Sequence, residues 1–325
     1  MLKSILFFAI GLVLLIKGGD WFVDGATGIA KRFNLPDIVV GATVVSIGTT
    51  LPEVMVSTTG ALQGSGAMAY GNAIGSIICN TALIAAISIT CNPGPVNVHS
   101  MKTPAIFFFG SAAIYCLAAY GLGTFPRWMG FVMLVIFVCY LYLTVRNGMK
   151  HPDEVESEEE EGESKPRTLF MELVLLVVGA AVIAVGANLL VEHGQIIAIG
   201  LGVPETVVAL LFVALGTSLP ELVTTITSLR SGHASLGVGN VIGANVFNLV
   251  LVSGVAVSLA PFDVPVENTL LDTGLNLSLV FDIPVMLLVM SLMIFPALSK
   301  KKLSRWQGIL LLCIYAAFCV CQFVL

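Results

Sequence analysis

Apolar residues run along this chain in stretches long enough to cross a lipid bilayer as helices. Ten such stretches of 17 to 25 residues can be traced, separated by short polar or glycine- and proline-containing connections. Five precede a strongly acidic segment and five follow it. The predicted spans are 4–23, 38–62, 68–90, 104–122, 128–145, 169–191, 206–229, 236–259, 279–295 and 306–325.

The composition agrees with this pattern and excludes a soluble protein. Of the 325 residues, 57% are hydrophobic and only 11% are charged, with a mean hydropathy of +0.98. Eight of the 20 acidic residues lie in 153–163, within the acidic segment 147–167. The basic residues are scattered between apolar spans, so no surface for nucleic acid is predicted. We therefore expect an all-α polytopic membrane protein whose main partner is the bilayer.

The placement of Lys and Arg predicts which connections face the cytoplasm, because cytoplasmic loops carry an excess of both. Twelve fall in alternate connections, whereas Lys3 and Arg127 fall on the other side. Both termini should then lie outside and segment 147–167 inside. The twelve are Lys31, Arg32, Lys102, Arg146, Lys150, Lys165, Arg167, Arg230, Lys300, Lys301, Lys302 and Arg305.

One segment of the chain occurs twice. Residues 35–84 align without a gap to 203–252 at an offset of 168, with 17 identities in 50 pairs. Each copy lies in a half of five spans, 1–146 and 168–325, and an odd number of spans makes the copies cross the membrane in opposite directions. The sequence thus predicts ten transmembrane helices in two inverted-topology repeats, an architecture common among secondary transporters.

Each copy places a glutamate deep inside an apolar span, Glu53 in the first and Glu221 in the second. A carboxylate at this depth costs ~2.5–3.5 kcal/mol on insertion scales, so apolar packing alone does not explain it. Pro52 and Pro220 precede them and lack the N–H that continues a helix. We expect both spans to break near the midplane. At the breaks, four hydroxyl groups would point into a polar pocket. They belong to Thr49, Thr50, Thr217 and Ser218.

The second helix of each copy adds an amide, Asn80 in the first and Asn248 in the second. Ca²⁺ takes 6–8 oxygen ligands, which two glutamates, two amides and a few hydroxyl or carbonyl oxygens can supply. Neither copy contributes His or Cys to these motifs, which argues against Zn²⁺ or Cu⁺. Four glycines at matching positions predict close helix packing beside this site. They are Gly71, Gly75, Gly239 and Gly243.

The segments Gly48-Thr49-Thr50-Leu51-Pro52-Glu53 and Gly216-Thr217-Ser218-Leu219-Pro220-Glu221, each followed by a Gly-Asn segment and a further asparagine, resemble the α-repeats of the Ca²⁺/cation antiporter superfamily. The branch that they resemble is that of the prokaryotic Na⁺/Ca²⁺ exchanger-like proteins. The resemblance implies a ten-span transporter in a prokaryotic plasma membrane, in which the first and sixth spans slide to alternate access.

The resemblance also implies roles for individual residues. Glu53 and Glu221 would bind both Ca²⁺ and Na⁺, with Asn80 and Asn248 lining the central site. Flanking Na⁺ sites would use Thr49, Thr50, Thr217 and Ser218, the backbone carbonyls of Ser46 and Ala214, and the Ser76 hydroxyl. Two positions depart from the family pattern. Some relatives have aspartate where Asn248 stands, and Ala244 occupies the position that matches Ser76.

The function that these expectations define is exchange of Na⁺ for Ca²⁺ by a secondary antiporter without a cofactor, active as a monomer. A Ca²⁺/H⁺ antiporter is the alternative, with the glutamates taking protons, and another divalent cation could replace Ca²⁺. A cation channel would need a continuous pore, usually built by symmetric subunits. No HExxH, GxSxG or Walker A motif is present in the sequence, so an enzyme is not predicted.

Overall fold

The computed structural model of the chain describes residues 2–150, 168–200, 216–265 and 276–324. In these ranges the protein is predominantly α-helical. The helices are α1 (Leu2–Phe33), α2 (Asp37–Thr49), α3 (Leu51–Leu62), α4 (Gly66–Cys91), α5 (Val98–Leu122), α6 (Arg127–Lys150), α7 (Leu169–Gly200), α8 (Leu219–Arg230), α9 (Ala234–Leu259), α10 (Ser278–Lys300) and α11 (Arg305–Val324).

The helices agree with the predicted membrane spans wherever the chain is described. Eight of them are long and apolar enough to cross a bilayer, and the bent pair α2 and α3 makes up to nine. The seventh predicted span, 206–229, lies partly outside the described residues, which include only its second part as α8. Helix α1 continues to Phe33, well past the predicted end at 23, because its last turns are amphipathic and carry Lys31 and Arg32. Likewise α6 runs to Lys150, beyond the predicted half boundary at 146.

The helix break predicted at Pro52 is present. Helices α2 and α3 meet at an angle of 46°, with Thr50 between them at φ −85° and ψ −3°. Ser218 has nearly the same conformation, φ −89° and ψ 3°, immediately before α8. Proline occupies the start of both following helices, where its missing N–H leaves no internal hydrogen bond unmade. Residues 201–215 lie outside the described ranges, so only the first bend has a measured angle.

Helices α1 and α7 pack against each other backbone to backbone. A Cβ added at Gly11 would lie 2.8 Å from the Gly186 carbonyl oxygen, and one added at Gly179 would lie 2.9 Å from the Gly18 carbonyl oxygen. The earlier of the two α1 glycines faces the later of the two α7 glycines, so the two helices are antiparallel. The offset of 168 matches Gly11 with Gly179 and Gly18 with Gly186. The offset therefore converts the contact between Gly11 and Gly186 into the contact between Gly179 and Gly18. A two-fold relation between the two halves requires such a pair of contacts.

Two short antiparallel strand pairs join connections from opposite halves. Strand β1 (Gly94–Pro95) pairs with β4 (Lys302–Leu303), and β2 (Thr124–Phe125) pairs with β3 (Phe262–Asp263). The first pair places the α4–α5 and α10–α11 connections at one end of the bundle. The second pair places the α5–α6 connection beside the residues that follow α9. In both pairs, the two connections that lie side by side were predicted to be on the same side of the membrane.

Helices α4 and α9 lie at the centre of the molecule. In their most apolar stretches 72% and 83% of residues are buried, against at most 39% for the other long helices. Their apolar side chains form one core with residues of α5, α6 and α10, including a cluster of the rings of Tyr70, Tyr115 and Phe125. A helix buried on all sides can carry polar residues that contact protein instead of lipid. These two helices carry Asn80 and Asn248.

Candidate cation site

The two glutamates occupy equivalent places in the structure. Glu53 lies in the first turn of α3 and Glu221 in the first turn of α8, each directly after a break, and neither has any exposed surface. The N-terminal end of a helix stabilises a negative charge. Thr50, three residues before Glu53, places its hydroxyl 3.5 Å from Glu221 Oε1, so the two glutamates belong to the same buried region. The arrangement therefore concentrates negative charge in one buried place.

The carboxylate oxygens are left with little hydrogen bonding from protein. Among the described residues, neither oxygen of Glu53 has a partner, and Oε2 of Glu221 has none. The Thr50 hydroxyl lies 3.5 Å from Glu221 Oε1, a long hydrogen bond that joins the first copy to the second. A buried carboxylate without partners is costly unless a cation or a proton neutralises it. The chemistry of this pair fits a cation that prefers hard oxygen ligands.

Asn80 and Asn248 add neutral oxygens on the two central helices. Both are fully buried, and each begins a π-helical turn, Asn80–Ala85 in α4 and Asn248–Val252 in α9. Asn248 Nδ2 donates to the Ala244 carbonyl at 3.0 Å. Asn248 Oδ1 and both side-chain atoms of Asn80 have no hydrogen-bond partner among the residues of the described ranges. Single π turns inside α-helices often occur at functional sites.

The hydroxyls beside the breaks are held by contacts between the two copies. Thr49 Oγ1 donates to Asn240 Oδ1 at 3.1 Å, and Thr217 Oγ1 donates to Asn72 Oδ1 at 3.4 Å. Ser218 is 1% exposed, and its hydroxyl has no partner within the described part of the chain. All four predicted hydroxyls therefore lie at the two breaks, and three of them contact the opposite copy.

For the remaining predicted ligands, Ser46, Ser76 and Ala214, the structure shows fewer contacts with the site. The Ser46 carbonyl accepts the N–H of Thr50 at 3.0 Å. The Ser46 hydroxyl lies 2.8 Å from the Gly41 carbonyl oxygen and 2.9 Å from the Asn240 carbonyl oxygen, and its one proton can be donated to either. Ser76 is buried on α4 at 3% exposure. Ala214 lies outside the described residues. The structure thus connects Ser46 to the second copy but places Ser76 only by its helix.

Close helix packing is present at the glycines of the second copy. A Cβ at Gly243 would lie 2.6 Å from the Cα of Ala42, and one at Gly239 would lie 2.8 Å from the Cα of Ile38. The backbone of α9 therefore approaches that of α2 closely, as predicted. The segment that matches α2 in the second copy is 205–217, and its residues 205–215 lie outside the described ranges. The packing predicted for Gly71 and Gly75 therefore remains a prediction.

Two further polar residues at the breaks, Asn72 and Asn240, were not predicted from the sequence to belong to the site. Both recur directly after a glycine, in Gly71-Asn72 and Gly239-Asn240, which was the available signal. Their repetition did not indicate which groups they contact. In addition, no three His, Cys, Asp or Glu side chains cluster anywhere in the four described ranges. A cation bound to the two glutamates would therefore complete its coordination with amide, hydroxyl or carbonyl oxygens.

Buried glutamates with neutral oxygen donors inside a bundle of apolar helices are typical of membrane ion transporters. The family described as "Sodium/calcium exchanger protein" matches the chain over residues 3–146 and 171–324. The chain belongs to this family of membrane antiporters, whose members transport ions and are not enzymes.

Individual relatives cover nearly the whole chain. An uncharacterized membrane protein of Methanocaldococcus jannaschii is 34% identical over 309 residues, which are 95% of this chain and 94% of that protein. The sodium/calcium exchanger MaX1 of Methanosarcina acetivorans is 28% identical, with 98% of each chain covered. A structure of the sodium-calcium exchanger NCX_Mj soaked with Na⁺ and Sr²⁺ superposes with a TM-score of 0.77 at 31% identity, covering 97% of both chains. The similarity therefore extends over both halves.

Proposed function

We propose that this protein exchanges Na⁺ for Ca²⁺ across the membrane by alternating access at one site built on Glu53 and Glu221. The observation that carries the proposal is the presence of two fully buried carboxylates, one from each copy. Thr50 of the first copy reaches Glu221 of the second. The exchangers among its relatives support the same ion pair.

We further propose that the chain forms ten transmembrane helices as two inverted halves, 1–146 and 168–325, joined by segment 147–167. The antiparallel, exchanged glycine contacts of α1 and α7 support this arrangement. So does the strand pairing of connections that share a predicted side. In this architecture the breaks at Thr50 and Ser218 come together at the midplane, where helix N-termini and freed carbonyls can face an ion.

Ion coupling follows from charge in this site. Two buried carboxylates that repel each other make the empty site unfavourable, so the protein should change its access only when cations neutralise them. One Ca²⁺ or several Na⁺ can supply that neutralisation at the same oxygens. Competition between the two ions for Glu53 and Glu221 then turns a binding site into an exchanger.

The ligand assignments belong to the same proposal. Glu53 and Glu221 bind either ion, Asn80 and Asn248 supply amide oxygens, and the Na⁺ sites on either side use the remaining oxygens. The hydroxyls of these sites are Thr49, Thr50, Thr217, Ser218 and Ser76, and the carbonyls are those of Ser46 and Ala214. The donor set is made of oxygen throughout, which suits Ca²⁺ and Na⁺.

Sidedness is proposed from the basic residues together with contacts at one end of the bundle. Arg32 at the end of α1 donates to Glu172 of α7, with 2.8 Å between Nε and Oε2. His233 Nδ1 lies 2.6 Å from Asp37 Oδ2. With the pairing of β1 and β4, these contacts bring together connections that carry most of the Lys and Arg. We assign this end to the cytoplasm of a prokaryotic cell and both termini to the outside.

A Ca²⁺/H⁺ antiporter is the second candidate, because buried carboxyls without partners can also take protons. The test is ⁴⁵Ca²⁺ uptake into proteoliposomes loaded with Na⁺, compared with choline loading and with an imposed pH gradient. Uptake that requires internal Na⁺ supports the proposal. Uptake driven by the pH gradient in choline would replace Na⁺ with H⁺, and uptake that requires no counter-ion would indicate a channel.

A further inference from the structure

Asn72 and Asn240 make the same contact in opposite directions between the two copies. Asn72 on α4 accepts the hydroxyl of Thr217, and Asn240 on α9 accepts the hydroxyl of Thr49. The offset of 168 converts one pair into the other, since it relates 49 to 217 and 72 to 240. A contact repeated in this way reflects the shared architecture of the two copies and not the rotamer of one side chain.

The direction of the hydrogen bond between Thr217 and Asn72 is fixed by the other contacts of Asn72. Its Nδ2 donates to the Glu53 carbonyl at 3.2 Å and to the Ser57 hydroxyl at 2.8 Å. A carbonyl oxygen can only accept, so the amide nitrogen must face Glu53 and the amide oxygen must face Thr217. The Thr217 hydroxyl must then donate its proton to that oxygen.

A threonine hydroxyl has one proton and two lone pairs. A cation is bound by the lone pairs and repelled by the proton. When an amide oxygen accepts the proton, the hydrogen bond fixes the rotation of the hydroxyl group. Its lone pairs then remain available to a cation. Asn72 also links Thr217 to the carbonyl of Glu53, so it connects the hydroxyl of one copy to the glutamate of the other.

We propose that Asn72 and Asn240 are positioning residues for Na⁺, which hold the Thr217 and Thr49 hydroxyls with their lone pairs directed to the ion. This inference rests on the proposed function, because Thr49 and Thr217 are assigned to Na⁺ there. Ca²⁺ depends chiefly on the two carboxylates, so losing one oriented hydroxyl should weaken Na⁺ binding more than Ca²⁺ binding. The asparagines thereby favour Na⁺ as the counter-ion.

The test is a double-mutant cycle on Asn240 and Thr49. Asn240→Leu keeps a similar volume without an acceptor, and Thr49→Val removes the hydroxyl. Each should raise the half-saturating Na⁺ concentration for exchange about fivefold, the equivalent of one hydrogen bond of ~1 kcal/mol. The double variant should be no worse than Thr49→Val alone. The half-saturating Ca²⁺ concentration in Na⁺-free Ca²⁺/Ca²⁺ exchange should change less than twofold in all three.

Conservative and control variants separate positioning from packing. Asn240→Asp keeps an acceptor and should not raise the half-saturating Na⁺ concentration. Asn245→Leu, on the same helix, removes hydrogen bonds to Thr81 and Met290 instead, and should leave the Na⁺ dependence unchanged. Stabilisation of the purified protein by Na⁺, measured as a Tm, reports Na⁺ binding without transport.

The inference is overturned if the two single effects multiply in the double variant, if the half-saturating concentrations of Na⁺ and Ca²⁺ shift equally, or if Asn245→Leu shows the same loss of Na⁺ dependence. If Asn240→Leu does not fold, Asn72→Leu and Thr217→Val provide the same cycle in the other copy. If neither leucine variant folds although both valine variants do, the asparagines are structural and the inference fails. Failure of the proposed function is seen separately, as parent protein without Na⁺-dependent exchange.

Discussion

Replacing Glu53 with glutamine removes one charge from the site and keeps its shape. Both oxygens of Glu53 are buried and have no partner among the described residues, so a bound cation would compensate their charge. Removing one member of a buried charge pair costs about 3–5 kcal/mol. This corresponds to a roughly 150- to 5,000-fold loss of Ca²⁺ affinity. Glu53→Gln should therefore reduce Na⁺-dependent Ca²⁺ flux to background.

The same variant should not lose stability in the absence of ions. Glutamine relieves the repulsion from Glu221 and part of the ~2.5–3.5 kcal/mol insertion cost of a buried carboxylate. In chelator, Glu53→Gln should thus have a Tm equal to or above that of the parent protein. A ligand at 100 times its Kd stabilises a protein by about 2.7 kcal/mol. The parent should gain that stabilisation from Ca²⁺, and the variant should not.

The assay pairs ⁴⁵Ca²⁺ uptake in Na⁺-loaded proteoliposomes with thermal unfolding in detergent, with and without Ca²⁺. Glu192→Gln is the matched control, because Glu192 is a carboxylate on an exposed face of α7; it should keep both flux and Ca²⁺-dependent stabilisation. Near-normal transport by Glu53→Gln would show that the Glu53 carboxylate does not bind the transported Ca²⁺. Loss of transport accompanied by a large fall of Tm in chelator would show instead that the glutamate is structural.

Three further predictions concern Asn248 of the same site, the packing of α9 against α2, and the orientation of the chain in the membrane. Asn248→Asp adds a titratable group to the site and should change both the Ca²⁺ affinity and the pH dependence of flux; if neither changes, Asn248 serves only packing. Gly239→Ala should destabilise the protein by about 1–3 kcal/mol, because its Cβ would meet the backbone of Ile38. Gly110→Ala should be neutral or stabilising, since a Cβ there meets nothing within 4 Å among the described residues; equal Tm values for the two variants would contradict the close approach of α9 and α2. In a cysteine-free background, Lys301→Cys should react with an impermeant maleimide only from the cytoplasmic side and Gln63→Cys only from the outside, and the reverse pattern would invert the proposed topology.

The sequence predicted those parts of the fold that depend on local chemistry. Proline and glycine at fixed places in the repeat predicted the break that Thr50 makes between α2 and α3, because a missing N–H acts on the neighbouring turn. Apolar stretches predicted the spans. The first predicted span ends at residue 23, where the apolar stretch ends, whereas α1 continues to Phe33. The last turns of that helix carry Lys31 and Arg32, and Arg32 is held by Glu172 of α7. A window of apolar residues contains no signal for such a contact.

The parts of the site that the sequence did not predict depend on contacts between the copies. The repeat identified Glu53 and Glu221, since a carboxylate in an apolar span is conspicuous wherever it packs. Asn72 and Asn240 also recur in both copies. An asparagine beside glycine is common in proteins, however, so its presence did not indicate a role in the site. Their partners Thr217 and Thr49 are separated from them by 145 and 191 residues, and only the relative placement of the two halves brings them together. The π turns at Asn80 and Asn248 also have no local signature.

Coupled counter-flow of the two ions distinguishes one shared site from two independent pathways. Proteoliposomes are loaded with ²²Na⁺, and ²²Na⁺ release and ⁴⁵Ca²⁺ uptake are followed in the same sample, for the parent protein and for Glu53→Gln and Glu221→Gln. We predict that external Ca²⁺ accelerates Na⁺ release in a fixed ratio to Ca²⁺ uptake, and that either substitution abolishes both fluxes together. Independent fluxes of the two ions, or exchange that survives both substitutions, would contradict a single shared site on Glu53 and Glu221.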